Sequence, residues 1–198
     1  MKIFDCFMYY DEDLILDLRL NYLNQHVDKF IIVESTYTHS GRDRKLLFNI
    51  NKYSKFKNKI EYIVLNELPK GLMKVSETDS EKEKNSKYIL NAVKRENLQR
   101  NMITKGIELA SPDDLIIISD LDEIPNLEDC NIKEIKNKII LFKQKFFYYK
   151  FNLKLLNYPW HGSKACKKKN LISPQWLRNI KSKKYSKFRL DLIFNKKK

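Results

Sequence analysis

Glycine is scarce in this sequence of 198 residues, which contains only four. Such a low content excludes collagen-like tracts and glycine-rich linkers, and no internal period indicates a repeat protein. Cysteine is rarer still, and Cys6, Cys130 and Cys166 are too widely spaced for a common metal-binding motif. We therefore expect reduced thiols, as in a cytoplasmic protein.

Long hydrophobic runs are also missing from the sequence. The run Leu115 to Ile118, in the most apolar predicted strand, has the length of a strand core rather than of a membrane span. The first residues enter a strand-like run without the apolar stretch of a signal peptide. We expect a soluble protein, and a peripheral contact with an anionic membrane is the one membrane interaction that the sequence leaves open.

Acidic residues are outnumbered, with 25 Asp and Glu against 39 Lys and Arg, so the formal net charge is +14. A phosphate-rich partner such as a nucleotide, a nucleic acid or an anionic membrane would suit this charge. The alternative is compositional, because lysine greatly outnumbers arginine and scattered lysines usually form a solvated surface. Nucleic-acid binding favours arginine with interleaved aromatic residues, and that pattern is missing, so we expect no nucleic-acid partner.

The chain has enough apolar residues, 42%, to exclude intrinsic disorder and to form one α/β domain. Apolar strands alternate with segments of helical period, which predicts a Rossmann-like, mostly parallel sheet flanked by helices, in one domain over residues 1–198. Predicted strands cover residues 2–10, 29–34, 60–65, 114–119, 139–151 and 188–194, and predicted helices cover residues 11–26, 86–110 and 174–180.

Proline, glycine, serine and dense charge over residues 69–85 predict a long mobile loop, suited to close over a ligand. The following helix is expected to begin near Ser86 and to turn apolar residues toward the core. Those residues are Ile89, Val93, Met102, Ile103 and Leu109. Residues 166–198 have a weaker pattern and form a less certain C-terminal segment.

Two carboxylates one residue apart, Asp120 and Asp122, follow the most apolar predicted strand. In a parallel sheet, ligands bind beyond the carboxyl ends of the strands, and an extended chain points these two side chains to the same side. Such a pair is a hard-oxygen site for Mg²⁺ or Mn²⁺, which would stabilise the charge of a departing diphosphate. The alternative interpretation is a solvated turn in which Asp120 acts as a cap.

Four segments along the chain form a recognisable series. They are FDCF with YYDE within residues 4–12, VDKFIIVES at 27–35, ENLQRN at 96–101 and PDDLIIISDLDEIP at 112–125. Together they resemble glycosyltransferase family 17, which contains the β-1,4-mannosyl-glycoprotein β-1,4-N-acetylglucosaminyltransferases and their microbial relatives. The resemblance covers residues 2 to 165 and implies a GT-A-like fold, a UDP-sugar donor (UDP-GlcNAc in particular) and inverting transfer to a glycan acceptor.

The matched polar positions imply contacts with the donor, and each has a structural alternative. Arg100 could bridge the oxygens of a diphosphate, or it could form an ion pair with Glu96 four residues earlier. Asn101 could bind a base or hydroxyl, or face solvent. Glu34 ends a buried strand and could face the same crevice as Asp120, or it could cap the loop that follows.

The matched aromatic positions suggest stacking. Phe7 and Tyr9 could stack against a uracil ring, although aromatic residues on a first strand often belong to the core. Trp160 and His161 resemble a family segment in a loop, where they would suit the face of a sugar. The alternative for His161 is a structural role.

An inverting transferase also needs a general base that accepts the proton of the acceptor hydroxyl. Glu123 is a candidate because it adjoins the metal pair, but alternation along an extended chain directs its side chain away from Asp122. Family members continue beyond the position of Lys198 with a glycine-rich Trp-His-Phe-Ser segment and further acids. The resemblance therefore implies a domain that is short at its C-terminus.

Two other functions remain open from the sequence. A transferase domain that lacks activity could serve as a module that binds a nucleotide sugar or an anionic glycan. An aspartyl-phosphate phosphatase also places Asp-x-Asp after an apolar strand, with the first Asp as nucleophile. Too few residues follow Glu123, however, for the later motifs of such a phosphatase.

Overall fold

The computed structural model describes residues 1–128, 132–135, 137–150 and 152–182, in which strands and helices alternate. In chain order the elements are β1 (Ile3–Met8), α1 (Asp13–Leu23), β2 (Lys29–Ser35), β3 (Ile60–Leu65), α2 (Glu81–Asn101), α3 (Ile103–Gly106), β4 (Leu115–Ile118), β5 (Ile139–Leu141), β6 (Lys164–Lys167) and α4 (Pro174–Asn179). Short 3₁₀ helices lie at Ile50–Phe56, Ile132–Glu134 and Lys168–Asn170.

One six-stranded sheet, of order β3-β2-β1-β4-β6-β5, runs through the described residues and makes them a single α/β domain. β1 pairs in parallel with β2 and β4, and β2 pairs in parallel with β3, which confirms the predicted mostly parallel sheet. β6 is antiparallel to both of its neighbours. From β1 the chain adds β2 and then β3 on one side. It then crosses to the other side of β1 and forms β4 there. This reversal between β1 and β4 is the switch point where sheets of this class bind ligands.

Side chains alternate across the sheet and form two hydrophobic layers. On one face, Phe7 and Ile32 pack with Leu16 and Leu20 of α1. On the other face, Cys6 and the other alternate strand residues pack with residues from α3 and α4. β4 is buried at all four positions, so the turn that follows it starts from a rigid base.

The start of α2 was predicted wrongly. The helix begins at Glu81 rather than near Ser86, because Ser80 and Glu83 form a reciprocal capping box. Residues 81–85 are therefore helical, and the predicted loop over 69–85 ends at residue 80. The inward face was also predicted only in part, since Met102 and Ile103 are buried. The other three expected core residues, Ile89, Val93 and Leu109, are exposed.

The C-terminal third differs most from the sequence prediction. The strand expected over residues 139–151 is regular only in β5, and isolated bridges continue it as a hairpin. β6 was not predicted, whereas α4 confirms the helix expected at 174–180. The strand expected at 188–194 lies outside the described residues. Within the described ranges, the helices are too short or too polar to cross a membrane.

Candidate active site

A cleft of about 630 Å³ opens beyond the carboxyl ends of β1 and β4, at the switch point of the sheet. Three parts of the chain form its walls: the ends of β1 and β4, the loop after β2, and the last turns of α2. Its lining residues are Met8, Tyr9, Tyr10, Glu12, Tyr37, Thr38, His39, Arg44, Glu96, Gln99, Arg100, Asp120, Leu121 and Asp122. Three of the predicted polar site residues, Arg100, Asp120 and Asp122, therefore line one cavity, together with the predicted Tyr9.

Asp122 is the open carboxylate of this cleft. Its side chain is exposed, and it forms neither a hydrogen bond nor an ion pair with any residue that the structure describes. An unpaired carboxylate in a cleft is free to accept a ligand's hydroxyl or a cation.

Asp120 differs from Asp122 because both of its carboxylate oxygens are engaged. Oδ1 accepts a hydrogen bond from Arg100 at 2.9 Å, and Oδ2 accepts one from Arg178 at 2.6 Å. Burial alone would lower the pKa of Arg178, but the carboxylates of Asp120 and Glu123 raise it above its ordinary value. Asp120 therefore lies between two arginines that occupy both of its carboxylate oxygens.

Glu123, the predicted base, is buried beside the cleft and is not among its lining residues. Oε2 accepts a hydrogen bond from the backbone N–H of Asp120 at 2.9 Å. Oε1 accepts hydrogen bonds from Trp160 Nε1 and from Arg178, both at 3.0 Å. These contacts describe a residue that shapes the turn, whereas a base would need an oxygen free to meet the acceptor.

A buried ion pair stabilises the turn that follows β4. Arg19 of α1 and Asp5 of β1 are both inaccessible to solvent and form a bidentate pair with distances of 2.7 and 2.8 Å. The Nη1 group of Arg19 donates to the carbonyl oxygens of Asp120 and Leu121 at 3.0 and 2.8 Å, and to that of Glu123 at 3.3 Å. One guanidinium thereby fixes the backbone that presents Asp122 to the cleft.

Arg100 forms the ion pair of its structural alternative, with Glu96 at 2.9 Å, and also lines the cleft beside Asp120, whereas its contact with a diphosphate stays a prediction. Its Nη1 group donates to Gln175 at 2.6 Å, whereas its buried Nε has no partner in the part of the chain that is described. The guanidinium is held rigidly and brings positive charge to the cavity wall.

The opposite wall is rich in aromatic residues that the sequence analysis did not single out. Tyr10 is half exposed, and the guanidinium of Arg44 lies 4.2 Å from its ring centroid. Tyr37 and His39 follow β2, and His39 contacts Gln99 of α2 at 3.3 Å. The flat ring of Tyr10, with the Arg44 guanidinium stacked on it and the amide of Gln99 in the same cleft, suits a nucleobase.

Two residues predicted to contact the donor belong to the protein's own framework. Phe7 is fully buried in the hydrophobic core, so its predicted stacking against uracil is wrong, and the core alternative holds. Glu34 is also fully buried. It accepts hydrogen bonds from the N–H groups of Leu47 and Phe48 and pairs with Arg44 at 2.9 Å, so it anchors the loop after β2, which was its alternative.

The remaining predicted residues lie at or beyond the edge of the cleft. Tyr9 reaches the wall, but its ring is almost entirely buried against Phe48, and burial with a hydrogen bond to Asp13 raises its pKa. Asn101 accepts a hydrogen bond from the N–H of Gln175 and so holds the start of α4. His161 is half-buried and does not line the cleft.

The described residues can be compared with the needs of a divalent cation, which the family resemblance implies. In the described ranges, no three His, Cys, Asp or Glu side chains could enclose a metal ion. Mg²⁺ at a phosphate site needs only one or two carboxylates, with water and phosphate oxygens as its other ligands. Asp122 fits that requirement. Asp120 would fit only after it releases an arginine, so its role as a second ligand stays a prediction.

The sequence contained signals for two of the residues that were missed. Arg19 occupies a position of α1 that faces the core, where a lone arginine must find a buried acid. The signal for Arg178 was weaker. Its helix has only six residues, and its partners Glu123 and Asp120 lie 55 and 58 positions away in the sequence, so no local pattern links them.

A comparison with family models gives a match over most of the chain. The model described as glycosyltransferase family 17 matches residues 1–174, which include the cleft and all four segments that suggested this family. No curated protein and no solved structure matches the chain. The family match decides against the phosphatase alternative.

Proposed function

The chain belongs to glycosyltransferase family 17, and from that membership we propose that it transfers N-acetylglucosamine from UDP-GlcNAc to a glycan acceptor. The observation that carries the proposal is the exposed, unpaired carboxylate of Asp122 in a cleft at the switch point. Inversion requires the acceptor oxygen to attack the anomeric carbon while the bond to the diphosphate breaks on the opposite face. UDP leaves with the bonding electrons, and the acceptor proton passes to a base.

Each wall of the cleft has a role in this proposal. Tyr10, backed by the guanidinium of Arg44, stacks against the uracil. Arg100 places its charge beside the diphosphate, where a rigid cation opposes the negative charge that develops as UDP departs. Asp122 holds Mg²⁺ or Mn²⁺, which would supply further charge neutralisation at the same oxygens.

Asp120 and Glu123 act on the shape of the turn in this proposal. The two arginines on Asp120 and the three donors on Glu123 fix the loop that presents Asp122. Preorganisation of this kind matters because misplacement of a catalytic group by about 1 Å can lower a rate about a hundredfold.

Release of UDP from UDP-GlcNAc tests the proposal, with UDP-Gal, UDP-Glc and GDP-Man as competing donors and Mn²⁺ or Mg²⁺ supplied or chelated. We expect metal-dependent release, fastest with UDP-GlcNAc. Asp122→Asn should lower the rate about a hundredfold, which is typical when a group that stabilises transition-state charge is lost.

Asp17→Asn is the matched control, because Asp17 is an exposed acid on α1 outside the cleft. Unchanged turnover in the Asp122→Asn enzyme would remove Asp122 from the mechanism. Donor binding without turnover in the unmodified protein would instead support the binding-module alternative.

A further inference from the structure

An aromatic hairpin, which we define as residues 142–150 and 152–163, lies between β5 and β6. Its arms pair in antiparallel fashion, with Phe142 N–H donating to the Ser163 carbonyl at 3.0 Å and a bridge between Gln144 and Trp160. Near the tip, Tyr148 N–H donates to the carbonyl of Leu153 at 2.9 Å. The described part of the hairpin is therefore an ordered element.

The base of the aromatic hairpin is fixed to the candidate active site. Ser163 Oγ donates to the Glu123 carbonyl at 2.6 Å, and Trp160 Nε1 donates to the Glu123 carboxylate. The Trp160 ring also packs against Phe146 and Tyr158, with centroids 5.4 and 6.4 Å away. These contacts set the direction of the hairpin relative to the acidic turn, which we define as residues 120–123.

The outer part of the hairpin exposes large apolar side chains. Every described residue from 147 to 159 is exposed, including Tyr149 at 89% and Leu156 at 73% of full accessibility. Tyr148, Leu153, Leu155 and Tyr158 are exposed beside them. Large apolar side chains exposed together on one hairpin indicate an interaction surface rather than ordinary solvent contact.

Positive charge surrounds this apolar patch. Lys143, Lys145, Lys150 and Lys154 are exposed, and none of them forms an ion pair with a residue of the described ranges. The sequence contains no Asp or Glu between Glu134 and Asp191, so the hairpin itself contributes no negative charge. The partner of this surface must therefore be anionic as well as apolar.

We propose that the aromatic hairpin binds the surface of an anionic phospholipid bilayer. Tyrosine and leucine side chains enter the boundary between head groups and acyl chains, while lysines extend to the anionic head groups. Exposed leucines distinguish this partner from an anionic glycan or nucleic acid, whose binding would use the lysines and aromatic rings but leave leucines in water. The proposal does not depend on transferase activity.

Flotation with vesicles tests the proposal, with no sugar donor present. The full chain should float with vesicles of mixed phosphatidylcholine and phosphatidylglycerol, and it should stay in solution with phosphatidylcholine alone. The combined change Lys143→Gln, Lys145→Gln, Lys150→Gln and Lys154→Gln should reduce the partition coefficient about fivefold for each lysine near the membrane. The matched control changes four exposed lysines outside the hairpin to glutamine: Lys57, Lys70, Lys82 and Lys105.

The apolar contribution needs a separate variant. Tyr149→Ser with Leu156→Ser should lower partition at least about tenfold, since each removes a large apolar group from the bilayer. Leu14→Ser with Leu18→Ser is the control, because both leucines are exposed on α1. The proposal is overturned if both control sets weaken binding as much as the hairpin variants. It is also overturned if heparin or DNA binds with an affinity that Leu156→Ser leaves unchanged while vesicles do not bind.

Discussion

Arg178 contacts both acids that hold the turn beside Asp122. It donates to Asp120 at 2.6 Å and to Glu123 at 3.0 Å, and its Nη1 group donates to the Gly162 carbonyl at 2.8 Å. Burial lowers the pKa of neighbouring Lys164 to about 8, although Lys164 Nζ donates to the carbonyl of Arg178. Arg178 is therefore the main permanent cation for the buried Glu123.

Arg178→Met should destabilise the protein by about 3 kcal/mol, because it leaves the buried carboxylate of Glu123 without its cation. Glu123→Gln should also destabilise it, but the double variant should lose at least about 1 kcal/mol less than the sum of the two. Denaturation in urea measures each free energy of unfolding. Arg42→Met is the control, since Arg42 is exposed and its side chain has no described partner. Strict additivity would show that the pair does not interact.

Single residues were predicted from the sequence with uneven success, and burial explains the difference. Asp120 and Asp122 could be located because a turn after an apolar strand must lie at the edge of the sheet. Phe7 and Glu34 were placed in the ligand site because the family resemblance matches them, and Glu34 also because it ends a buried strand. Alternation along each strand could not say that Phe7 faces α1 or that the loop after β2 folds back over Glu34.

At the scale of elements, the hairpin and the acidic turn meet at Gly162. A methyl group on this residue would lie 2.3 Å from the Glu123 carboxylate and 2.6 Å from Trp160 Nε1. Only a residue without a side chain lets the returning arm pass so close to the turn. The hairpin and the turn therefore cannot move independently at this point.

Gly162→Ala should destabilise the protein by about 1–3 kcal/mol, the usual cost of overpacking, and should also lower UDP release at temperatures where the protein stays folded. The added methyl displaces Glu123 and with it the backbone that presents Asp122. Gly106→Ala is the matched control, because its methyl would lie 2.4 Å from Ile31, far from the cleft lining. It should lose stability and keep its turnover per folded molecule. Equal loss of turnover in both variants would contradict a specific role for Gly162.

The elements that were predicted well are strands with several adjacent apolar residues. β1 to β4 each have several adjacent β-branched or aromatic residues, and their order along the chain implied the parallel pairing. β6 has lysine at both ends, and it becomes a strand only because β4 and β5 lie on either side of it. Such a strand depends on tertiary contacts, which no local pattern in the sequence reports.

For the molecule as a whole, positive charge occurs in different settings. The cleft contains fixed arginines beside acids, whereas the aromatic hairpin carries lysines without ion pairs among the described residues. The net charge of +14 could not separate these cases, because it sums both. Only the fold distinguishes the two cases, because it brings the arginines of α2 and α4 to the acidic turn and leaves the hairpin lysines exposed.

Ligand binding should stabilise the whole domain in a way that distinguishes donor from metal. A ligand at a hundred times its Kd adds about 2.7 kcal/mol to the free energy of unfolding, which raises Tm by roughly 5–10 °C for a chain of this size. UDP with Mn²⁺ should give this shift in the unmodified protein, measured by differential scanning fluorimetry. UDP alone should give a smaller shift in Tm, because the cation is missing. Some shift should remain, since Tyr10 and Arg100 still contact the nucleotide.

Two variants separate these contributions. In Asp122→Asn, Mn²⁺ should add nothing to the shift caused by UDP, since the open carboxylate is gone. In Tyr10→Ala, the shift with UDP should fall with or without Mn²⁺, because stacking against the base does not involve the metal. A full Mn²⁺-dependent shift in Asp122→Asn would place the cation elsewhere, and an unchanged shift in Tyr10→Ala would move the base away from this wall.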